Sequence, residues 1–203
     1  PIQGDLYDSD TIRKVASCDL IFGCVDSVFA RHLINKIAST YCIPYIDVGV
    51  GLRADGRGGI AHATGAIHYL QPDGSSLMSR GVFTSEDVRA DAMRRINPNE
   101  HVDQFAQGYI KGAEVSRPAV ITINNLFASY GVLELLNRLH PIRLDGNENF
   151  AMQRWSLSGD ICETSGDGAR CKAVSRYLGR GDFEPLLGVP SLSGPVEREP
   201  ADV

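Results

Sequence analysis

The stretch Asp19-Leu20-Ile21-Phe22-Gly23-Cys24-Val25-Asp26-Ser27 decides how this chain is read. An apolar run closes on a small residue, a carboxylate and a hydroxyl. The residues after it place Val28, Leu33, Ile34, Ile37 and Ala38 on one helical face. The pattern predicts a buried parallel strand and the helix that follows it, with Ser27 as N-cap. Asp26 then stands at the carboxyl end of a strand, which is where open α/β sheets bind ligands.

Upstream, Leu6, Ile12 and Val15, with Ser9 or Asp10 as caps, predict a short helix over 5–16. Downstream, the helix runs from 27 to about 41, and Ile43-Pro44-Tyr45-Ile46-Asp47-Val48-Gly49-Val50 reads as a second apolar strand. Strand, helix and strand at this spacing form a right-handed parallel crossover. Gly49, Gly51, Gly56, Gly58 and Gly59 then read as a loop. Residues 60–70 alternate loosely toward a turn at Gln71-Pro72-Asp73-Gly74, which suggests a further strand or hairpin at a sheet edge.

Thr84-Ser85-Glu86-Asp87 resembles a capping box for a helix to about Ile96, ended by Asn97-Pro98-Asn99. Residues 100–117 have no strong period and read as a connection. From Pro118, Val120, Ile123, Leu126, Phe127, Tyr130, Leu133, Leu136 and Leu139 recur at helical spacing. Ala128, Ser129 and Gly131 allow that helix to pack closely. Two short strand candidates lie around Asp145-Gly146-Asn147. Residues 177–188 read as an ordered docking segment or as a packing arm, and 191–203 as disordered.

With 203 residues the chain suffices for one large core, or for one domain and a tail. A hydrophobic content of 43% and a net charge of -5 give no hint of a nucleic-acid surface. No apolar stretch approaches the roughly 18 residues of a membrane helix, and nothing at the start resembles a signal peptide. The first residue is proline and not methionine, and the expectation is that an amino-terminal part precedes it. The cysteines, Cys18, Cys24, Cys42, Cys162 and Cys171, are odd in number. This fits a reducing cytoplasm, with Cys18, Cys24 and Cys42 as small core residues.

Four stretches together resemble the ThiF/HesA/MoeB family, bacterial relatives of ubiquitin-activating enzymes. They are Gly23-Cys24-Val25-Asp26-Ser27 with Ala30-Arg31 and Ile34-Asn35; Ile43-Pro44-Tyr45-Ile46-Asp47-Val48-Gly49; Thr64-Gly65-Ala66-Ile67-His68-Tyr69-Leu70-Gln71-Pro72-Asp73-Gly74; and Arg117-Pro118-Ala119-Val120-Ile121-Thr122-Ile123-Asn124-Asn125 with Ala128-Ser129 and Glu134-Leu135. The resemblance covers about 1–140. It implies an α/β fold with a Rossmann-like, doubly wound, mostly parallel sheet. This chain would be the later half of a ThiF-type adenylation domain over 1–157, followed by a carboxyl-terminal extension over 158–203.

The resemblance also implies ATP-dependent adenylation of the carboxyl-terminal carboxylate of a ubiquitin-like or sulfur-carrier protein. Asp26 would hold magnesium, and Arg31 and Asn35 would belong to the ATP site. The same residues have structural readings: Asp26 as a helix cap, Arg31 in a salt bridge or sheet-to-helix hydrogen bond, and Asn35 bonded to a neighbouring loop. A homodimer through the 118–139 helix is implied as well.

The sequence departs from the family pattern in three places. No Gly-x-Gly-x-x-Gly precedes a strand-to-helix turn, so the ATP phosphate loop is expected upstream of this chain. Ser76 and Ser79 stand where the family has zinc-binding cysteines, and Cys162 and Cys171 lack partners, so no zinc site is expected. Between Cys42 and Cys162 there is no cysteine to carry a thioester. Two alternatives follow: a carrier-binding scaffold with a decayed active site, and a tRNA-modifying adenylating dehydratase on the same fold.

Overall fold

The computed structural model describes residues 1–57, 59–97 and 120–192. The expectations for the connection over 100–117, for a helix start at Pro118 and for residues 193–203 lie outside the described residues.

Helix α1 (Ser9–Ala16) leads to strand β1 (Ile21–Gly23), and Ser27 caps helix α2 (Val28–Thr40) through its Oγ, which accepts the Ala30 N–H at 3.1 Å. Strand β2 (Tyr45–Ala54) then lies parallel to β1, with Ile21 beside Tyr45 and Gly23 beside Asp47. So far the expected crossover is present. Beyond it the chain departs from expectation.

Gly49 and Gly51 do not open a loop; they continue β2 to Ala54. The chain then returns as β3 (Ile60–Leu70), antiparallel to β2. Five residues are too few to cross back over a sheet, so the short connection imposes the antiparallel sense. At this turn the Asp55 carboxylate accepts the N–H groups of Arg57 and Gly59. Strands β4 (Met152–Ser156) and β5 (Ile161–Ser165) form a second hairpin against β3.

The sheet order is β1-β2-β3-β4-β5, with one parallel pair and three antiparallel pairs. The expectation of a mostly parallel sheet is therefore corrected, and β3 is the middle strand and not an edge. Within the described residues the fold is mixed α/β with helices on both faces of this sheet.

Alternation along the strands sorts the two faces. On one face, Ile21, Tyr45 and Leu70 pack with Leu33, Ile34 and Ile37 of α2 in a buried cluster. Helix α3 (Ser85–Ile96) packs against α2 and begins with a capping box between Thr84 and Asp87. On the other face, Ile46, Val48 and Ile67 surround Phe127 of helix α4 (Ile121–Leu139).

Helix α4 comes this close because two glycines leave room. A Cβ on Gly65 would overlap the Phe127 ring, and one on Gly131 would lie 2.6 Å from Phe22 and 2.7 Å from Val48. Trp155 closes the cluster, stacked on Tyr130 with ring centres 4.7 Å apart. The fully buried Glu134 accepts hydrogen bonds from Arg138 at 2.7 Å, Arg143 at 2.5 Å and Gln153 at 2.7 Å. Three donors compensate the burial of this carboxylate.

The carboxyl-terminal residues form a packing arm. Leu186 and Leu187 are fully buried in the α2 cluster, and Ser191 and Leu192, expected to be disordered, lie in a 3-10 turn with Leu192 buried. Gly179 and Gly181, both at positive φ, donate their N–H groups to the Ser39 and Thr40 carbonyls at 3.1 Å each. These are end carbonyls of α2, which the helix itself leaves unpaired.

Phe127→Ala is expected to lower the unfolding free energy by about 3–5 kcal/mol. Leu139→Ala, at a side chain left 63% exposed, is expected to change it by about 0.5 kcal/mol or less. Urea titrations of the two variants check the contrast.

Candidate functional site

The end of β1 presents Asp26 as an exposed carboxylate. Among the described residues it makes no hydrogen bond or ion pair. The helix-capping reading of Asp26 is not what forms. Asp91 of α3 takes that place: its Oδ2 accepts from Ser27 Oγ and from the Phe29 N–H, both at 2.8 Å. A carboxylate at a helix amino terminus is well placed for the helix dipole.

Arg31 lies one turn into α2 and ties β1 to β2. Its Nε donates to the Val25 carbonyl at 3.2 Å and stands 3.4 Å from the Asp47 carboxylate. Its Nη2 donates to the Val48 carbonyl at 3.3 Å. Arg31 thus fixes the residue next to Asp26. Asn35 is buried, and its Oδ1 accepts the Leu77 N–H at 2.9 Å. Of the three expected site residues, Arg31 is tied to the segment bearing Asp26, and Asn35 holds a loop.

Beside Arg31 the sheet face opens into a cleft of about 460 Å3. Its floor is Gly49, Gly51, Thr64 and Ala66, with Arg31 among the residues on one side and Arg154 and Glu163 on the other. Alternation along β2 and β3 puts these small residues on one face, and the register puts Gly49 beside Ala66 and Gly51 beside Thr64.

At the deep end, Asp47 and His68 are direct cross-strand partners. They are 1% and 2% exposed. Asp47 Oδ1 accepts the Tyr45 hydroxyl at 2.6 Å, while Oδ2 has no partner among the described residues; nor has His68 Nδ1. Burial pushes the Asp47 carboxyl above the usual carboxylate range, against the pull of Arg31. Burial, helped by the charges of Arg80, Arg154 and Arg31, pushes His68 down to about 3. His68 is therefore a neutral imidazole at neutral pH.

The loop over 75–80 meets the carboxyl-terminal arm. Ser76 Oγ donates to Cys171 Sγ at 3.0 Å, and Ser79 Oγ accepts the Ser76 N–H at 2.8 Å. Ser76, Ser79 and Cys171 are thus brought together, while Cys162 is exposed on β5. Burial opposes ionisation of Cys171, but donors from Ser76, Val174 and Ala173 hold its thiol below the usual value. Cys18, Cys24 and Cys42 are exposed, which corrects the core reading: each follows the end of an element and faces solvent. Among the described residues no group of three or more His, Cys, Asp and Glu side chains is arranged for a metal ion.

No protein-family model and no curated protein matches the chain. The site therefore rests on its geometry.

Asp47, His68, Arg154 and Glu163 were not singled out by sequence. A lone aspartate and a lone histidine in apolar runs carry a weak signal. The period of two puts Asp47 on a face with Gly49 and Gly51, and His68 on a face with Ala66 and Thr64. Only the hairpin register shows that these faces coincide.

Arg31→Ala removes the cation facing a buried carboxylate and is expected to destabilise the fold by about 3 kcal/mol, measured by urea titration. A separate expectation concerns pH. Above about pH 6.5 His68 is neutral folded and unfolded, and its contribution is fully present. As pH falls from there toward about 3, the unfolded chain takes up a proton that the folded chain refuses, and stability is lost. Asp47, with its raised value, acts in the opposite sense. The difference in stability between the native chain and His68→Gln isolates the histidine. It is expected to shrink with a slope approaching about 1.4 kcal/mol per pH unit in this window; a pH-independent difference contradicts the assignment.

Proposed function

We propose that this chain supplies the metal-side and acyl-side half of a site that adenylates the carboxyl-terminal carboxylate of a ubiquitin-like or sulfur-carrier protein. The observation that carries the reading is Asp26, exposed past the end of a parallel strand and without a hydrogen bond or ion pair among the described residues, next to Val25, which Arg31 ties to a glycine-floored cleft.

Magnesium keeps most of its waters and binds through one or two carboxylates together with substrate phosphates. A single exposed carboxylate without a competing cation fits that mode, and Asp26 is the residue that would hold the ion. When bound, the metal would neutralise phosphate charge and align the reactants. The described residues do not fit ATP itself in the same way. They offer no cradle of glycine amides, and the Arg31 guanidinium already donates to Val25 and Val48 and faces Asp47. No step is therefore drawn through the nucleotide.

The work of this chain in the reaction is orientation. An extended peptide with glycine at its end, which brings no side chain, is the ligand this reading assigns to the cleft, and Arg31 connects that cleft to the segment bearing Asp26. Positioning of this kind lowers a barrier by avoiding the entropy of a bimolecular encounter.

We place the protein in the cytoplasm as a homodimer. The support for a dimer is the apolar side of α4, where Ile121, Val132, Leu136 and Leu139 are exposed. No helix among the described residues is long and apolar enough to cross a membrane. The scaffold reading draws on a different observation, the engagement of Arg31 and the absence of a phosphate cradle among the described residues.

Pyrophosphate–ATP exchange decides between these readings. The full-length protein, with a ubiquitin-like protein ending in Gly-Gly, is expected to show carrier-dependent exchange. Asp26→Ala is expected to lower it about 100-fold, roughly 2.7 kcal/mol, with an unchanged melting temperature because Asp26 is exposed and makes no hydrogen bond or ion pair among the described residues. Exchange that survives Asp26→Ala removes the residue from the mechanism, and no exchange in the intact protein leaves the scaffold reading.

A further inference from the structure

The stretch Arg170-Cys171-Lys172-Ala173-Val174-Ser175-Arg176-Tyr177-Leu178-Gly179-Arg180 carries four cations and no carboxylate. It contributes +4 to a chain whose net charge is -5, so the remaining residues together carry -9. A positive strip on a negative protein is a local feature of the surface and does not follow from overall composition.

The fold spends one of these cations. Arg170 pairs with Asp73 at 2.5 Å. Lys172, Arg176 and Arg180 are exposed and form no ion pair among the described residues. Asp182, the next carboxylate along the arm, is turned to other partners: its Oδ1 accepts the Tyr41 hydroxyl and lies 3.5 Å from Arg13 Nε.

Two stacked rings hold the strip in place. Tyr177 and Phe183 lie with ring centres 5.7 Å apart, the Arg176 guanidinium over Tyr177 at 4.6 Å and the Arg180 guanidinium over Phe183 at 5.1 Å. A ring face attracts a guanidinium plane but leaves its N–H edge unbonded. The frame beneath is fixed, since Tyr177 is buried and Gly179 and Gly181 bond to the end of α2. Positive charge is crowded here. Lys172 and Arg176 stand one helical turn apart, where like charges repel, and Lys36 Nζ lies over Tyr177 at 4.8 Å. Burial, together with the charge of Arg176, holds the Lys36 ammonium below the usual lysine range.

Crowded cations with unbonded guanidinium edges fit an anion of matching fork geometry, and carboxylate and phosphate both have it. The extent of the strip chooses between their carriers. A nucleic acid longer than the strip would run onto a surface whose net charge is negative, whereas a run of a few acidic residues is matched in full by three unpaired cations.

We propose that Lys172, Arg176 and Arg180 form a docking strip for a short run of aspartate and glutamate residues on a partner protein, with Arg176 and Arg180 taking carboxylates through their paired N–H groups. The strip lies at the far end of α2 from Ser27, and the 13 residues of that helix span about 20 Å. Docking therefore needs neither the cleft nor Asp26, and it stands whether or not adenylation is observed.

Fluorescence anisotropy with the intact chain and labelled octaglutamate, in about 0.15 M salt, tests this. The native chain is expected to bind the peptide, and Arg176→Ala combined with Arg180→Ala to bind it about 30-fold more weakly. Arg176→Lys combined with Arg180→Lys keeps every charge but loses the fork, and is expected to bind about 10-fold more weakly. Phe183→Leu, which removes the ring under Arg180, is expected to weaken binding about 3-fold. Arg89→Ala combined with Arg94→Ala removes two exposed cations elsewhere and is expected to stay within about 2-fold of the native chain.

No binding by the native chain overturns the proposal. Native affinity in the lysine pair overturns it too, as does a loss in the Arg89 and Arg94 pair equal to that in the Arg176 and Arg180 alanine pair, because charge alone is then being read. Tighter binding of labelled octauridylate than of octaglutamate overturns it in favour of a nucleic acid. Should the alanine pair fail to fold, the lysine pair, which keeps both charge and stem, decides.

Discussion

The register of β2 against β3 is the constraint on which the rest depends. With Tyr45 beside Leu70 and Asp47 beside His68, every residue of the hairpin up to Arg53 has an assigned face. Ile46, Val48 and Ile67 turn toward α4, while Tyr45, Gly49 and Ala66 turn toward the α2 side. A slip of one residue would send Asp47 under Phe127 and Ile46 into the cleft, because the period of a strand is two. The apolar cluster beneath α4 and the cleft on the opposite face are thus consequences of one pairing.

Local structure was legible wherever short-range chemistry decides it. The Ser27 cap, the Thr84–Asp87 capping box and the apolar period of α4 each place an element from neighbouring residues. The short parallel pair at the start was legible too, since a strand, a helix and a strand in a row leave few topologies. What failed was the reading of glycine. Gly49 and Gly51 looked like loop residues because glycine weakens strands. In the fold their missing side chains form the floor of a cleft, and the strand continues because β3 supplies its hydrogen bonds. The mostly parallel sheet failed with them, since it required β2 to end where the glycines begin.

The site residues divide along similar lines. Position at a strand end was enough to single out Asp26, whereas Arg31 was singled out by the family resemblance alone. Asp47 and His68 have meaning only as a pair, and they lie in different strands, 21 positions apart. Their burial is expensive, and the fold compensates one side of it: Tyr45 and Arg31 attend Asp47 Oδ1, while Oδ2 has no partner among the described residues.

Helix α2 is held at both ends by chain far from it in sequence. Asp91 grips its start, and at its finish Gly179 and Gly181 close the last carbonyls, with Tyr41 bonded to Asp182 across 141 residues. Synthesis delivers the chain from the amino end, so α2 is made early and anchored late. The far end of α2 gains its closing hydrogen bonds from Gly179 and Gly181 only when the carboxyl-terminal arm has docked. Loss of the arm would leave the Ser39 and Thr40 carbonyls without these donors and uncover the apolar surface of α2 that Leu186 and Leu187 bury, so the last-made residues finish the first-made core.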